Sequence, residues 1–246
     1  MKTRRRSILG GATSDPDSAR GPRPLLDGAA ERGLTTPRAA GVAGIAFAVL
    51  YVLALVFLRD TIGRGLTTER VVLNVTAGST RALVGLYLVP FAGIAFLWFI
   101  GVVRDRIGER EDKFFATVFF GSGLLFVAML FAAAAVIGGL VAGSRFGLAT
   151  PTDVPTVGFA RSVGYAFLFV YAAKAAGVFT LATSTIIRRS RWPSWTFLSG
   201  FATAAVLILS ISFFEPIVLI FGAWVAAISV HVLVTGGRQA SGGTGL

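Results

Sequence analysis

A lysine inside a long apolar stretch is where chemistry is easiest to see in this chain. Lys174 lies near the midpoint of Gly164–Ile187, GYAFLFVYAAKAAGVFTLATSTII. A charge at mid-bilayer costs about 2.5–3.5 kcal/mol on insertion scales. Facing an interior cavity, the ammonium is a counter-ion or a group that handles protons or anions. Snorkelling, or held by backbone carbonyls, it only sets helix packing. Tyr171, three residues earlier, shares its helix face. A helical side chain leans toward its helix N-terminus, which is the end where Arg161 and Glu215 are expected. Lys174, Tyr171, Glu215 and Arg161 therefore form a candidate intramembrane polar site. From Lys174 to that end the helix rises about 18 Å, so a direct pair with Glu215 requires an inward dip of the chain or a bridging water. Pro90 frees the Leu86 carbonyl as another acceptor. Glu215 can also be a plain turn residue among headgroups, or an acid at a cavity mouth paired with Arg161.

Ser199 and His231 are the second constellation. They lie sixteen residues either side of Glu215, so an antiparallel hairpin sets them at equal depth. A Ser–His pair in a chain with six apolar stretches invites comparison with rhomboid-type intramembrane serine proteases, whose nucleophile sits in Gly-x-Ser-Gly. Ser199 follows Phe197-Leu198 and Ser122 follows Phe120-Gly121, so neither matches. The expectation is an interhelical hydrogen bond worth about 0.6–2 kcal/mol. With no Cys, 1 His and 12 Asp and Glu, the stock for a metal site or thiol chemistry is small. Walker loops, dinucleotide glycine motifs and paired catalytic carboxylates are absent from the sequence, and no cofactor is expected.

The elements that must carry these residues are membrane spans. Of 246 residues, 54% are hydrophobic and 14% charged, with mean hydropathy +0.76. A soluble domain carries about 25% charge, so lipid is the expected solvent. The fold class is all-α, a polytopic membrane protein with six transmembrane helices. Spans are expected at about 39–58, 82–103, 114–142, 162–187, 195–213 and 217–235, each near the twenty residues a bilayer requires. The 46 residues Trp192–Gly237 contain one charge, Glu215, and a straight helix of that length is roughly twice the hydrocarbon thickness. Glu215-Pro216 is the break, giving a final tight hairpin. Residues 1–38 read as a disordered basic cytoplasmic tail, and 236–246 as a flexible cytoplasmic tail. The opening RRRSILGG lacks the apolar run of a twin-arginine signal. Segment 59–81 reads as an interfacial helix, with Thr67 as cap and Glu69 in the first turn.

Orientation follows from Lys and Arg. With the N-terminus inside, inner segments carry 16 and outer segments 6, Lys174 completing the 23. The short loop Arg188–Arg191 is purely basic, flanked by Trp192 and Trp195 at headgroup level. N-in, C-in topology in the cell (inner) membrane is expected. Net charge is +11, concentrated in the tail and short loops, which points to anionic lipid headgroups as partners and not to nucleic acid. Small-residue stripes at spacings of four, such as Ala40/Gly44/Ala48 and Ala173/Gly177, allow close helix approach.

The run IIRRSRWPSW, Ile186–Trp195, followed by two spans ending in FGAWVAAISVHVLV, resembles a group of uncharacterised six-span membrane proteins of high-GC actinobacteria, in which a basic Pro- and Trp-containing loop precedes the final hairpin. The resemblance covers the C-terminal third and implies no activity or site. Three functions remain: an accessory or interaction protein with a membrane-protein partner; a small transporter or channel-like protein using a polar cavity at Lys174; and an intramembrane hydrolase. A non-enzymatic role is expected, because catalytic groups are scarce. A polar cavity reaching Lys174 favours the second, a lysine sealed in packing the first.

Overall fold

The structure, a computed structural model, describes residues 37–62, 66–76, 80–107, 113–147, 154–189, 192–210 and 217–241. All regular structure among them is helical: α1 Pro37–Ile62, α2 Thr68–Thr76, α3 Thr80–Ile107, α4 Lys113–Arg145, α5 Val154–Tyr165, a π-helical segment Ala166–Ala172 running directly into α6 Ala173–Arg188, α7 Ser194–Leu209 and α8 Ile217–Ser241. Five segments are long and apolar enough to cross a membrane: Gly41–Thr61, Thr80–Arg104, Phe114–Arg145, Val154–Arg188 and Ile217–Thr235.

Aromatic rings hold the centre together. Phe47 of α1, Phe96 of α3, Phe126 of α4, Phe179 of α6 and Phe221 of α8 meet there, each fully buried. Phe96 touches four of them, with centroids 4.7 Å from Phe47, 5.1 Å from Phe126 and Phe179, and 5.7 Å from Phe221. Such pairs contribute about 0.5–1.5 kcal/mol each beyond area burial. Five helices are thereby fixed at one depth, and α7 contributes no ring to the cluster. Glycine brings the backbones close enough: a Cβ on Gly44 of α1 would collide with Ser229 Oγ of α8 and lie 2.8 Å from Phe99 of α3. Gly177 is in tight contact, whereas a Cβ on Gly139 would meet nothing within 4 Å.

Within segment 59–81, residues Thr68–Thr76 form the helix α2. The Arg70 N–H donates to Thr67 Oγ1 at 3.3 Å, the bond of an N-cap threonine. Val71 and Val75 are buried while Leu73 is exposed. Asn74 Nδ2 donates to the Asp60 carbonyl at 3.0 Å and ties α2 to the end of α1.

Several boundaries differ from expectation. The stretch expected to connect spans at 143–161 is partly helical, because α4 continues to Arg145 and α5 starts at Val154. Val154–Arg188 is 35 residues, roughly 50 Å if fully α-helical, longer than a 30 Å hydrocarbon core. The expected flexible tail at 236–246 begins as helix, since α8 reaches Ser241. The expected span 195–213 ends early. α7 stops at Leu209, Ser210 turns extended (φ −61°, ψ 114°), and its 16 residues rise about 24 Å. It is apolar but shorter than a full span. The tail 1–36 and Glu215-Pro216 lie outside the described residues.

Candidate functional site

An α-helix ends with four carbonyls that lack intrahelical partners, and in hydrocarbon they require another donor. α7 is such a helix. Its Val206 carbonyl accepts from the Ser210 N–H at 3.0 Å. The Leu207 and Ser210 carbonyls accept from Lys174 Nζ, at 3.0 and 2.6 Å. The half-buried ammonium thus sits on the negative end of the α7 dipole, where a cation is favoured. Two of its three donors are used.

The approach of α7 to α6 makes this reach short. A Cβ on Gly177 would lie 2.7 Å from Ile208 and 3.1 Å from Leu207, and one on Gly200 of α7 would collide with Ser184 Oγ of α6. Along α6, the hydroxyls of Thr180, Thr183 and Ser184 donate to the carbonyls of Ala176, Phe179 and Thr180 at 2.7–2.8 Å, so the polar groups of this face are satisfied within the helix. α7 packs chiefly on α6 and less on α8. The last two helices are therefore not the closest pair, as a tight hairpin would have made them.

The other candidates divide. Tyr171 lies one turn from Lys174, exposed, with its ring 6.2 Å from Phe167. Arg161 is elsewhere: its guanidinium donates to the Leu66 carbonyl at 3.0 Å and binds α5 to the residues leading into α2. Glu215, expected near Lys174, lies outside the described residues. The Lys174 acceptors are carbonyls of α7, not the Leu86 carbonyl freed by Pro90. Sequence reasoning allowed for backbone acceptors but did not find these two, because no residue type marks a carbonyl that a helix end leaves free.

Ser199 and His231 are not hydrogen-bonded to each other. The Ser199 hydroxyl donates to the Thr196 carbonyl in its own helix at 3.1 Å. The His231 ring lies 5.3 Å from Trp192 and 5.4 Å from Trp195. In place of the expected interhelical hydrogen bond, the imidazole packs against these two indoles. Among the described residues, no group of three or more His, Asp or Glu side chains could hold a metal ion.

Beside Lys174 a crevice of about 470 Å³ opens between α4 and the helix containing Tyr171. Val118, Ser122, Leu125 and Met129 form one wall; Tyr171, the lysine, Ala175 and Val178 form the other. Its walls are almost wholly apolar, and the Ser122 hydroxyl is turned back onto the Val118 carbonyl at 2.6 Å. A site with charge-handling chemistry needs polar groups converging on a space; here the ammonium converges on a helix end. Comparison with family models, with curated proteins and with solved structures finds no match for this chain.

Proposed function

We propose that this chain is a six-span inner-membrane protein, with both termini in the cytoplasm, that works as an accessory or interaction protein within the bilayer. The observation that carries this reading is the pair of bonds from Lys174 Nζ to the Leu207 and Ser210 carbonyls. The one basic group deep in a spanning segment is engaged in closing a neighbouring helix, and the space beside it is apolar. A transporter of polar solutes needs the opposite arrangement, a charged group lining a wet pathway. α7 counts as the sixth span because its 16 mostly apolar residues and Ser210 leave only a short distance to the far interface. The excess of Lys and Arg in the inner segments supports the orientation.

The test is purification from native membranes in mild detergent, with and without prior crosslinking. A membrane protein that co-purifies stoichiometrically with the wild type, and equally with a folded Lys174→Met variant, is the expected result. A chain that recovers no partner but drives Lys174-dependent ion or solute flux in proteoliposomes overturns the reading.

A further inference from the structure

The crevice between α4 and the helix containing Tyr171 has a volume of about 470 Å³ and almost wholly apolar walls. Its α4 wall, Val118, Ser122, Leu125 and Met129, is a single stripe at helical spacing, and Tyr171, Lys174, Ala175 and Val178 repeat the pattern on the facing helix. The stripe from Val118 to Met129 rises about 16 Å. Its depth follows from the stack of Phe119 on Phe179, centroids 4.9 Å apart, which fixes the register of α4 against α6. Phe179 is nine residues above Arg188, about 14 Å of rise. The groove therefore runs from about 14 to 30 Å above the basic loop, which is the far half of a 30 Å hydrocarbon core. That half is the length of one leaflet's acyl chain. Gly121 keeps the groove open: it is exposed, and a Cβ there would meet nothing within 4 Å. At the far end stands Tyr171, 56% exposed, an amphipathic ring at the level where phenols meet headgroups. The aliphatic stem of Lys174 forms wall surface while its ammonium is bound to α7.

We propose that this groove binds one phospholipid from the leaflet opposite the Arg188–Arg189 end, with an acyl chain between α4 and α6 and a glycerol-ester or phosphate oxygen accepting from the Tyr171 hydroxyl. The site has the volume of a small-ligand pocket and the apolar walls that a chain requires. It rests on the bilayer placement of Val154–Arg188 and not on the accessory role, so lipid retention and partner recovery are read separately.

The experiment uses the full chain reconstituted in phosphatidylcholine–phosphatidylglycerol vesicles, re-extracted in mild detergent and weighed by native mass spectrometry. The wild type retains one phospholipid. Gly121→Trp fills open space, keeps the wild-type unfolding midpoint and retains none. Tyr171→Phe, which keeps the groove and removes the hydroxyl, lowers occupancy about fivefold, the effect of one hydrogen bond. If Gly121→Trp unfolds, the smaller Gly121→Leu carries the same comparison. Equal retention by wild type and the Gly121 variant, or no retained lipid in the wild type, overturns the proposal. So does efficient disulfide crosslinking between copies bearing Gly121→Cys, which would make a second chain the occupant.

Discussion

Replacing Lys174 by Met tests whether the ammonium is a structural cap. Methionine keeps much of the stem volume and removes both hydrogen bonds. Charge-assisted hydrogen bonds contribute about 1.5–3 kcal/mol each, so about 3–6 kcal/mol is at stake across the Leu207 and Ser210 carbonyls. Removing a charge from hydrocarbon returns at most about 2.5–3.5 kcal/mol. The return is smaller in proportion as the lysine lies off-centre, and its helix register sets it about 21 Å above Arg188. The balance is a net destabilisation of about 1–2 kcal/mol, concentrated at the end of α7. Reversible unfolding in mixed micelles, followed by circular dichroism, measures the total. Amide hydrogen exchange at Val206–Ser210 locates it, with roughly tenfold faster exchange expected in the variant. Lys174→Arg should recover part of the loss, since a guanidinium can donate to the same carbonyls. A Lys174→Met protein as stable as wild type, with unchanged exchange in α7, would refute the cap. It would mean that the lysine is tolerated by packing and contributes nothing to the helix end.

Other expectations follow from single contacts. Single cysteines at Ser14, Ser79, Ser190 and Ser241, in a chain with no other Cys, should label with an impermeant thiol reagent on intact cells only at Ser79; labelling at Ser190 ends the N-in assignment. Gly44→Val drives a side chain into Ser229 and Phe99 and should cost about 1–3 kcal/mol of stability, whereas Gly139→Ala should be neutral or stabilising by up to about 1 kcal/mol. The same micelle titration compares the two, and equal effects would contradict the packing. Thr67→Ala removes the α2 cap and should cost about 1 kcal/mol, read as increased exchange at Arg70 and Val71 with the spanning helices unchanged.

Most of the fold was legible because lipid simplifies the code. Long apolar runs closed by Arg59-Asp60, Arg104-Asp105 and Arg188-Arg189 mark spans by length alone, and Thr67-Thr68-Glu69 marks α2 by capping chemistry. The helical start at Val154 is weakly marked in the sequence, since Pro151, Thr152, Asp153 and Pro155 are types common in loops, although proline is tolerated in the first turn of a helix. The early end of α7 was hidden for another reason. Nothing in Leu207-Ile208-Leu209-Ser210 breaks a helix; the stop is supported by a lysine 33 residues earlier in the chain. Lys174 itself was visible as a cost, but its partners are backbone atoms and carry no signature. His231 meets the two indoles of Trp192 and Trp195, contacts that counting residues from Glu215 could not reveal. The Arg161 acceptor, the Leu66 carbonyl, was not legible because it is again main chain.

The bond between Lys174 and the end of α7 also bears on how the chain enters the membrane. Emerging from the ribosome, α6 brings a charge whose partners have not yet been synthesised. α7 follows as a helix too short to cross unaided, with carbonyls that only an earlier segment can satisfy. Each is a poor substrate for the insertion machinery alone, and together each removes the other's defect. The two are therefore expected to partition as a unit, with the Arg188–Trp192 connection held on the synthesising side until both have passed. A nascent chain ending just after Arg188 should leave α6 partly uninserted, and extension through α7 should restore full insertion. The sequence order of charge first and helix end second thus becomes an order of events in time.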